Sequence, residues 1–409
     1  MPKGQYRFDE DDIVQGCVDV TFSNLIENTI GGFVKPGFEP VRAAFAANLN
    51  SGSDIGASTA VFVDGECVVD LWGGHFDLTY TRPFGRDTLV NGFSSTKTMS
   101  ALCALLLADR SEIDLDDRVT KYWPSFGESG KGEVKVREIV GHTSGMAGWT
   151  APMTLKDIYD IEKSTAMLAE QAPWWKPGTG AGYHGFTMSH LIGEVVRSVT
   201  GLGLGEFFAK EIAGPTGADY FIGTPEECDS RVSTLIQGYP IAPDGNAFYK
   251  RCLLNPVARP QDSASIAWRR PAMGALNGHG SAHGIAAAQS MLASGGIAGK
   301  RLMSDAGRMR VLEQQVKGTD LVLGLPIDWG VGYALNSPVT PGWTGGPSTI
   351  GRSVGHWGGG GGSLSYVDLD ARMSFGFAPN RWTSGPHEQD RSMTILKAVY
   401  QSLTQAGKR

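Results

Sequence analysis

Residues 99–108, MSALCALLLA, are apolar almost without interruption. A helix that is apolar on every side has to be buried, because no face of it is suited to water. The run therefore predicts a central helix over residues 94–109, with the rest of the chain packed around it. With 409 residues, the chain is long enough to do this as one large domain or two closely packed ones.

Strand signals lie towards both ends of the chain. Segments 59–63 and 66–72 flank Asp64-Gly65, a pair suited to a hairpin turn, and further strands are predicted at 329–335, 363–369 and 372–378. Helical periodicity predicts helices at 39–49, 135–142, 155–171, 186–201, 281–296 and 387–405. The arrangement predicts an α/β (α+β) fold, with one antiparallel sheet built from two distant segments and flanked by helices.

This order also predicts a domain organisation. Residues 1–93 and 316–409 are expected to form a discontinuous sheet domain, and residues 94–315 a mainly helical domain, with any functional site expected between them. The stretch 220–270 is irregular and contains prolines, and is predicted to be an insertion that either lines a pocket or covers a face.

The composition argues against several classes of partner. The net charge is −6 and the Lys and Arg residues are scattered, so neither a nucleic acid nor an anionic membrane is an expected partner. The five cysteines are odd in number and widely spaced, which predicts reduced thiols. Because the first residues lack the apolar core of a signal peptide, we expect a cytoplasmic protein. The sequence leaves the oligomeric state open.

The head of the apolar run carries a Ser-x-x-Lys pair, Ser94 and Lys97. Residues three apart on a helix share a face and can touch, and a helix N-terminus favours developing negative charge. A buried lysine loses its proton more easily than a solvated one and can then assist a serine nucleophile. The alternative is that Ser94 or Ser95 caps the helix and that Lys97 is solvated.

Two later stretches also contain residues suited to catalysis. Tyr183 lies in a glycine-rich loop before a predicted helix, where an adjacent ammonium would favour its phenolate; the alternative is a packed aromatic. His356, Trp357 and Gly358 precede a glycine run, whose backbone amides could form half of an oxyanion hole; the alternative is a turn with a packed His and Trp.

Taken together and in this order, the three stretches resemble the serine β-lactamase and penicillin-binding protein superfamily. The resemblance is closest to its class C β-lactamase-like branch, which includes the family VIII carboxylesterases, and it extends over about 40–400. Supporting stretches are FSSTKTMSALCALLLADRSEIDLDDRVTKYWPSF, VREIVGHTSGM, WKPGTGAGYHGFTMSHLIGEVV and NGHGSAHGIAAAQSMLASGG.

The resemblance implies a role for each residue. Ser94 would become acylated, while Lys97 and Tyr183 would move the proton, with Tyr183 the favoured base. The oxyanion would lie between the Ser94 amide and an amide just after the His-x-Gly, that of Gly359. His356 would line the site, at the position where many relatives carry lysine. No metal and no organic cofactor is implied.

The sequence departs from the lactamase pattern at two places. Gly185 occupies the position of the asparagine in the Tyr-x-Asn motif of lactamases. His356-Trp357-Gly358 occupies the position of their Lys-Thr-Gly motif. These changes remove an amide that orients the substrate and a positive anchor for its carboxylate, and Trp357 would reshape the cleft. They favour neutral esters over penicillins or peptidoglycan.

Two competing motifs carry less weight. GRSVG (351–355) matches the hydrolase elbow Gly-x-Ser-x-Gly, but the glycines that follow cannot begin the required helix. His279 and His283 are spaced for zinc, yet no carboxylate is near them in sequence.

The sequence therefore predicts a serine hydrolase that cleaves small-molecule carboxylic esters through an acyl-Ser94 intermediate. The alternatives are an acyltransferase on the same scaffold, a β-lactam or amide hydrolase, and a non-catalytic binding module.

Overall fold

The main sheet has seven antiparallel strands. The computed structural model describes residues 30–236, 245–338, 340, 352–383, 390–405 and 407. Its strands are β1 Gly31–Val34, β2 Gly56–Val63, β3 Glu66–Gly74, β9 Ala334–Leu335, β10 Val354–Gly358, β11 Leu364–Asp368 and β12 Met373–Pro379. Along the sheet they follow the order β1-β3-β2-β12-β11-β10-β9.

The sheet joins two distant parts of the chain, as the sequence predicts. Strand β2 pairs with β3 through a hairpin, and on its other edge it pairs with β12 over the whole of 373–379. The hairpin turn has positive φ at both Asp64 (53°) and Gly65 (75°), the conformation that an Asp-Gly turn favours.

Five short strands lie outside this sheet. They form a three-stranded sheet, β4-β6-β5, and a separate hairpin, β7-β8. Their bounds are β4 Val90–Asn91, β5 Tyr220–Phe221, β6 His279–Gly280, β7 Gly296–Ile297 and β8 Lys300–Arg301.

The predicted strand over 329–335 is wrong except at its end, since only Ala334–Leu335 is a strand. Gly330 donates its N–H to the Tyr333 carbonyl, so the chain turns there instead of extending. Gly332 has φ 78°, and a Cβ on it would lie 2.3 Å from that of Ala101. Glycine at position 332 thus allows this turn to lie close to the central helix.

Helices cover both faces of the sheet. One face packs on α1 and α13, which also pack on each other, and the other face packs on α11. The bounds are α1 Glu39–Asn50, α2 Thr96–Asp109, α3 Val136–Val140, α4 Leu155–Tyr159, α5 Ile161–Glu170, α6 Met188–Thr200, α7 Leu204–Phe208, α8 Gly214–Thr216, α9 Ala247–Leu253, α10 Ile266–Arg269, α11 Ala282–Ser294, α12 Asp305–Met309 and α13 Asp390–Gln405.

The apolar helix α2 is central, as predicted. All its residues from Thr96 to Leu107 are buried, and it packs against α6, α7, α11 and α12. Because α11 lies directly on the sheet, the core is continuous between the sheet and the helical region. The division into two domains stays a prediction.

The described part of the segment 220–270 is mostly irregular, and its short regular elements are β5, α9, α10 and two 3-10 helices, Glu226–Arg231 and Pro260–Ala264. Residues 237–244 of this segment, and the start of the predicted C-terminal helix at 387–389, lie outside the described residues. Among the helices that the structure describes, none is long and apolar enough to cross a membrane.

Candidate active site

Ser94 lies in a sharp turn at the head of the central helix. Residues Phe93–Ser95 form a short 3-10 turn that leads directly into α2, and Phe93 has φ 43°. A positive φ at a bulky residue is strained, and such strain is typical of functional turns. Ser94 is partly exposed, although the three residues that follow it are buried. The turn thus presents one hydroxyl to the outside of the core.

Hydrogen bonds from buried serine hydroxyl groups stabilise this turn. Ser95 donates to the carbonyl oxygen of Gly92 at 2.8 Å. The Ser363 hydroxyl lies 2.7 Å from the same oxygen and 3.1 Å from Ser95 Oγ, and its single hydrogen can be donated to either of them. The Ser95 side chain, at the N-cap position, makes no capping hydrogen bond. The alternative that Ser95 caps this helix is therefore wrong.

Lys97 is completely buried, at 0% exposure, so the alternative of a solvated lysine is also wrong. Its Nζ lies 2.7 Å from the carbonyl oxygen of Gly185, 2.9 Å from that of Ala275 and 3.3 Å from Ser94 Oγ. Burial lowers the pKa of Lys97 to about 7, because the charged form loses its water. Near neutral pH the amine is therefore present both with and without its third proton.

The three contacts suit a neutral amine. A neutral lysine amine has two N–H donors and one lone pair. A carbonyl oxygen can only accept a hydrogen bond, so each of the two carbonyl oxygens needs one of the N–H donors. With both hydrogens directed at Gly185 and Ala275, the lone pair is left for Ser94 Oγ. In that neutral form the nitrogen could accept the hydroxyl proton of Ser94, whereas a charged Lys97 would donate to all three oxygens.

Tyr183 completes the group. Its ring centroid lies 4.6 Å from Lys97 Nζ, and its hydroxyl is hydrogen-bonded to Ser94 and accepts from Trp357 Nε1 at 3.3 Å. Burial raises the pKa of Tyr183 above its ordinary value, and the hydrogen-bonding interactions with Ser94 and Trp357 only partly offset this effect. Burial therefore disfavours the expected phenolate in the resting site.

His356 and Trp357 point to opposite faces of β10, because successive side chains of a strand alternate. The Trp357 ring packs on Tyr183, with 5.2 Å between centroids. The His356 ring is stacked on Tyr366, in the core on the far face of the sheet. The prediction that His356 lines the site is therefore wrong, and the residue at the site is Trp357.

The same alternation corrects the choice of oxyanion donor. The Gly359 N–H donates to the Ser363 carbonyl oxygen at 2.9 Å, so it faces β11 and is occupied. Gly359 nevertheless lies against the nucleophile turn, since a Cβ on it would be 1.9 Å from the Gly92 oxygen. Its neighbours Gly358 and Gly360 remain as donors, and among the described residues the Gly360 amide has no hydrogen-bond partner.

Asp320 is a buried residue of the site that sequence reasoning missed. Its Oδ1 accepts from the backbone N–H groups of Tyr183, Val322 and Leu323 at 3.1, 2.9 and 2.8 Å. Its Oδ2 accepts from Trp329 Nε1 at 3.0 Å. The Trp329 ring is in turn stacked parallel to the Tyr183 ring, at 6.1 Å. One carboxylate therefore positions both the backbone and the ring of Tyr183.

The irregular segment 220–270 reaches the site at its residues 252–253. A Cβ on Gly185 would lie 2.5 Å from Leu253 Cδ2 and 2.9 Å from Cys252 Sγ. These two side chains occupy the space into which a larger residue at position 185 would project. The segment thus contributes to this wall of the site, which the sequence alone left undecided.

The structure also places the residues of the two competing motifs. Ser353 is followed by strand β10 and not by a helix, which agrees with dismissing the GRSVG match; Gly351 lies outside the described residues. His279 pairs within the small sheet, whereas His283 lies in α11, beside Asp70.

Comparisons with known proteins agree with this geometry. A profile of the Beta-lactamase family matches residues 41–400. The Esterase/beta-lactamase LipL of Mycobacterium tuberculosis is 30% identical over 401 residues, which cover 92% of this chain and 90% of LipL. A family VIII carboxylesterase crystal structure is 36% identical, with a TM-score of 0.85 over 91% of this chain and 100% of that chain. A penicillin-binding protein homolog from Caulobacter crescentus is 32% identical, with a TM-score of 0.84 over the same shares.

The role of Asp320 predicts the effect of Asp320→Asn. The asparagine side chain has one acceptor oxygen and one NH₂ group. The NH₂ group would face either Trp329 Nε1 or the three backbone N–H groups, which are also donors, so at least one buried donor would lose its acceptor. We expect the free energy of unfolding in urea to fall by about 1–3 kcal/mol. Asp328→Asn, in the same loop, is the control, and it should lower the free energy of unfolding by less. Equal losses in the two variants would contradict the assignment.

Proposed function

Because the chain belongs to the Beta-lactamase family, we propose that it is a serine hydrolase that cleaves carboxylic esters through an acyl-Ser94 intermediate. Two proteins at least 30% identical to it over most of their length, LipL and the family VIII carboxylesterase, bear names that include esterase activity. The observation that carries the mechanism is the triple contact of Lys97 Nζ with two carbonyl oxygens and Ser94 Oγ.

In the first half of the reaction, neutral Lys97 accepts the Ser94 proton while Oγ attacks the ester carbonyl carbon. The Ser–O–acyl bond forms and the carbonyl oxygen becomes an oxyanion. The proton then passes from Lys97 through the Tyr183 hydroxyl to the leaving alkoxide, as the bond between the acyl carbon and the alcohol oxygen breaks. Tyr183 acts as a relay in this scheme, and the resting base is Lys97.

In the second half, water takes the place of the alcohol. Its proton follows the same path in reverse, the bond between the acyl carbon and Ser94 Oγ breaks, and the carboxylic acid leaves. The oxyanion of both halves is stabilised by the Ser94 amide at the helix N-terminus and by the Gly360 amide, which replaces Gly359 as the second donor.

The walls of the site favour neutral esters as substrates. Cys252 and Leu253 fill the space beside Gly185, so that wall offers thiol and methyl groups in place of an amide. Trp357, and no ammonium group, contacts Tyr183 from strand β10. An anionic substrate such as a penicillin would find no positive anchor on this strand.

We also propose a cytoplasmic location. The four cysteines that the structure describes, Cys67, Cys103, Cys228 and Cys252, are all free thiols. Free thiols are typical of a reducing compartment.

Substitution of the nucleophile tests the acyl-enzyme directly. Ser94→Ala removes the attacking oxygen, and we expect kcat/KM for a short p-nitrophenyl ester to fall by about 10³-fold or more. The matched control is Ser353→Ala, in the competing elbow motif, which should keep its activity. Mass spectrometry after exposure to an activated ester should show one acyl group, on Ser94. An adduct on another residue, or full activity in Ser94→Ala, would contradict the proposal.

The pKa of Lys97 predicts the pH dependence. Only neutral Lys97 can accept the Ser94 proton, so kcat/KM should rise with pH through a midpoint of about 7 and fall below it as Lys97 becomes protonated. Lys97→Arg keeps the positive charge but cannot lose its proton, and it should be inactive across this range. A rate that does not change through neutral pH in the unmodified enzyme would be incompatible with Lys97 as the base.

A further inference from the structure

A β-bulge brings Cys67 and Asp70 to the same face of β3. Residues three apart on a regular strand point to opposite faces. Here Phe62 pairs with Cys67 and Val61 pairs with Val69, so that Val68 is an extra residue. Val68 and Val69 both pack in the core on one face, which leaves Cys67 and Asp70 together on the other. Bulges of this kind often direct a side chain into a functional position.

His283 meets this pair from the first turn of α11. One ligand atom each from Cys67, Asp70 and His283 lie within 4.8 Å of one another. His283 Nδ1 is 3.2 Å from Asp70 Oδ2, but this nitrogen is buried and forms no well-directed hydrogen bond with any described residue. A sulfur, an oxygen and a nitrogen thus converge from three chain positions without being fully paired.

We propose that Cys67, Asp70 and His283 form a binding site for a divalent transition-metal ion, with zinc the preferred metal. Thiolate, imidazole and carboxylate are the donors that zinc takes in proteins, and its fourth position would hold water. Ligand atoms around a tetrahedral zinc are about 3–4 Å apart, so the three atoms need only a small contraction. Binding releases the Cys67 thiol proton to solvent.

Arg86 is the competitor for this site. Its Nε donates to Asp70 Oδ2 at 2.9 Å, so the guanidinium occupies the carboxylate in the metal-free site. The Arg86 side chain is 58% exposed and can turn outward into water. The Cys67 thiol, half-buried, donates only to the Val69 carbonyl, at 3.3 Å. The metal and Arg86 therefore compete for the negative charge of Asp70, and the bound ion would link β3 to α11.

Cobalt binding tests the site, because a thiolate on Co²⁺ gives a charge-transfer absorption band. The full chain, reduced and freed of metal with a chelator, should develop this band with Co²⁺ at a ratio of one ion per chain and lose it when Zn²⁺ is added. Cys67→Ser should abolish the band, and His283→Gln should weaken the affinity by about tenfold or more. Arg86→Gln should strengthen the affinity several-fold, because it removes the competing cation. Cys17→Ser, a thiol elsewhere in the chain, is the control and should leave the band unchanged.

A second measurement uses the unmodified chain, in case a variant does not fold. Zn²⁺ should slow the alkylation of Cys67 by iodoacetamide, as followed by peptide mass, while Ca²⁺ should not, since calcium binds oxygen ligands. No cobalt band in the unmodified protein, a band that survives in Cys67→Ser, or alkylation of Cys67 at the same rate with and without Zn²⁺ would overturn the proposal. None of these outcomes depends on esterase activity.

Discussion

The site depends on how the Lys97 amine is held. A lysine in a core is costly unless its nitrogen finds partners, and here the partners are two backbone carbonyl oxygens. Gly185 and Ala275 come from separate parts of the chain, so the amine can be oriented only when the whole fold has formed. Burial and orientation together give a nitrogen that loses its proton near neutral pH and faces Ser94 Oγ. The same carbonyl contacts thus compensate for the burial of the amine and orient it towards the proposed nucleophile.

The remaining parts of the site are fixed by strand geometry and by buried polar groups. Alternation along β10 directs Trp357 to Tyr183 and brings the glycine run against the turn that carries Ser94. Below Tyr183, Asp320 accepts four hydrogen bonds and so holds the tyrosine backbone and the Trp329 ring on which it stacks. These groups are buried and hydrogen-bonded in fixed positions of the fold, which is the arrangement that favours electrostatic stabilisation of a transition state.

The sequence predicts the main features and fails where the answer needs three-dimensional information. Local patterns are enough for the hairpin, the sheet of two segments, the buried helix and the grouping of Ser94 with Lys97. They do not give the register of β10, and for that reason they predict His356 at the site and Gly359 as the oxyanion donor, in place of Trp357 and Gly360. Burial, which no motif reveals, raises the pKa of Tyr183 and so disfavours the phenolate that the sequence predicts. Asp320 has no local signal, because its partners are 137 residues away or lie in its own loop. The β-bulge that brings Cys67 and Asp70 to the same face of β3 likewise has no signal in the sequence.

The most direct test of this account is the ionisation of Lys97 itself. The protein can be produced with isotope-labelled lysine and titrated by NMR. The Lys97 signal is the one that is missing from the spectrum of the Lys97→Met variant. The account predicts a titration midpoint of about 7 in the free enzyme. A midpoint near the ordinary lysine value of about 10.4 would contradict it, because the amine would then be charged at neutral pH and could not accept the Ser94 proton.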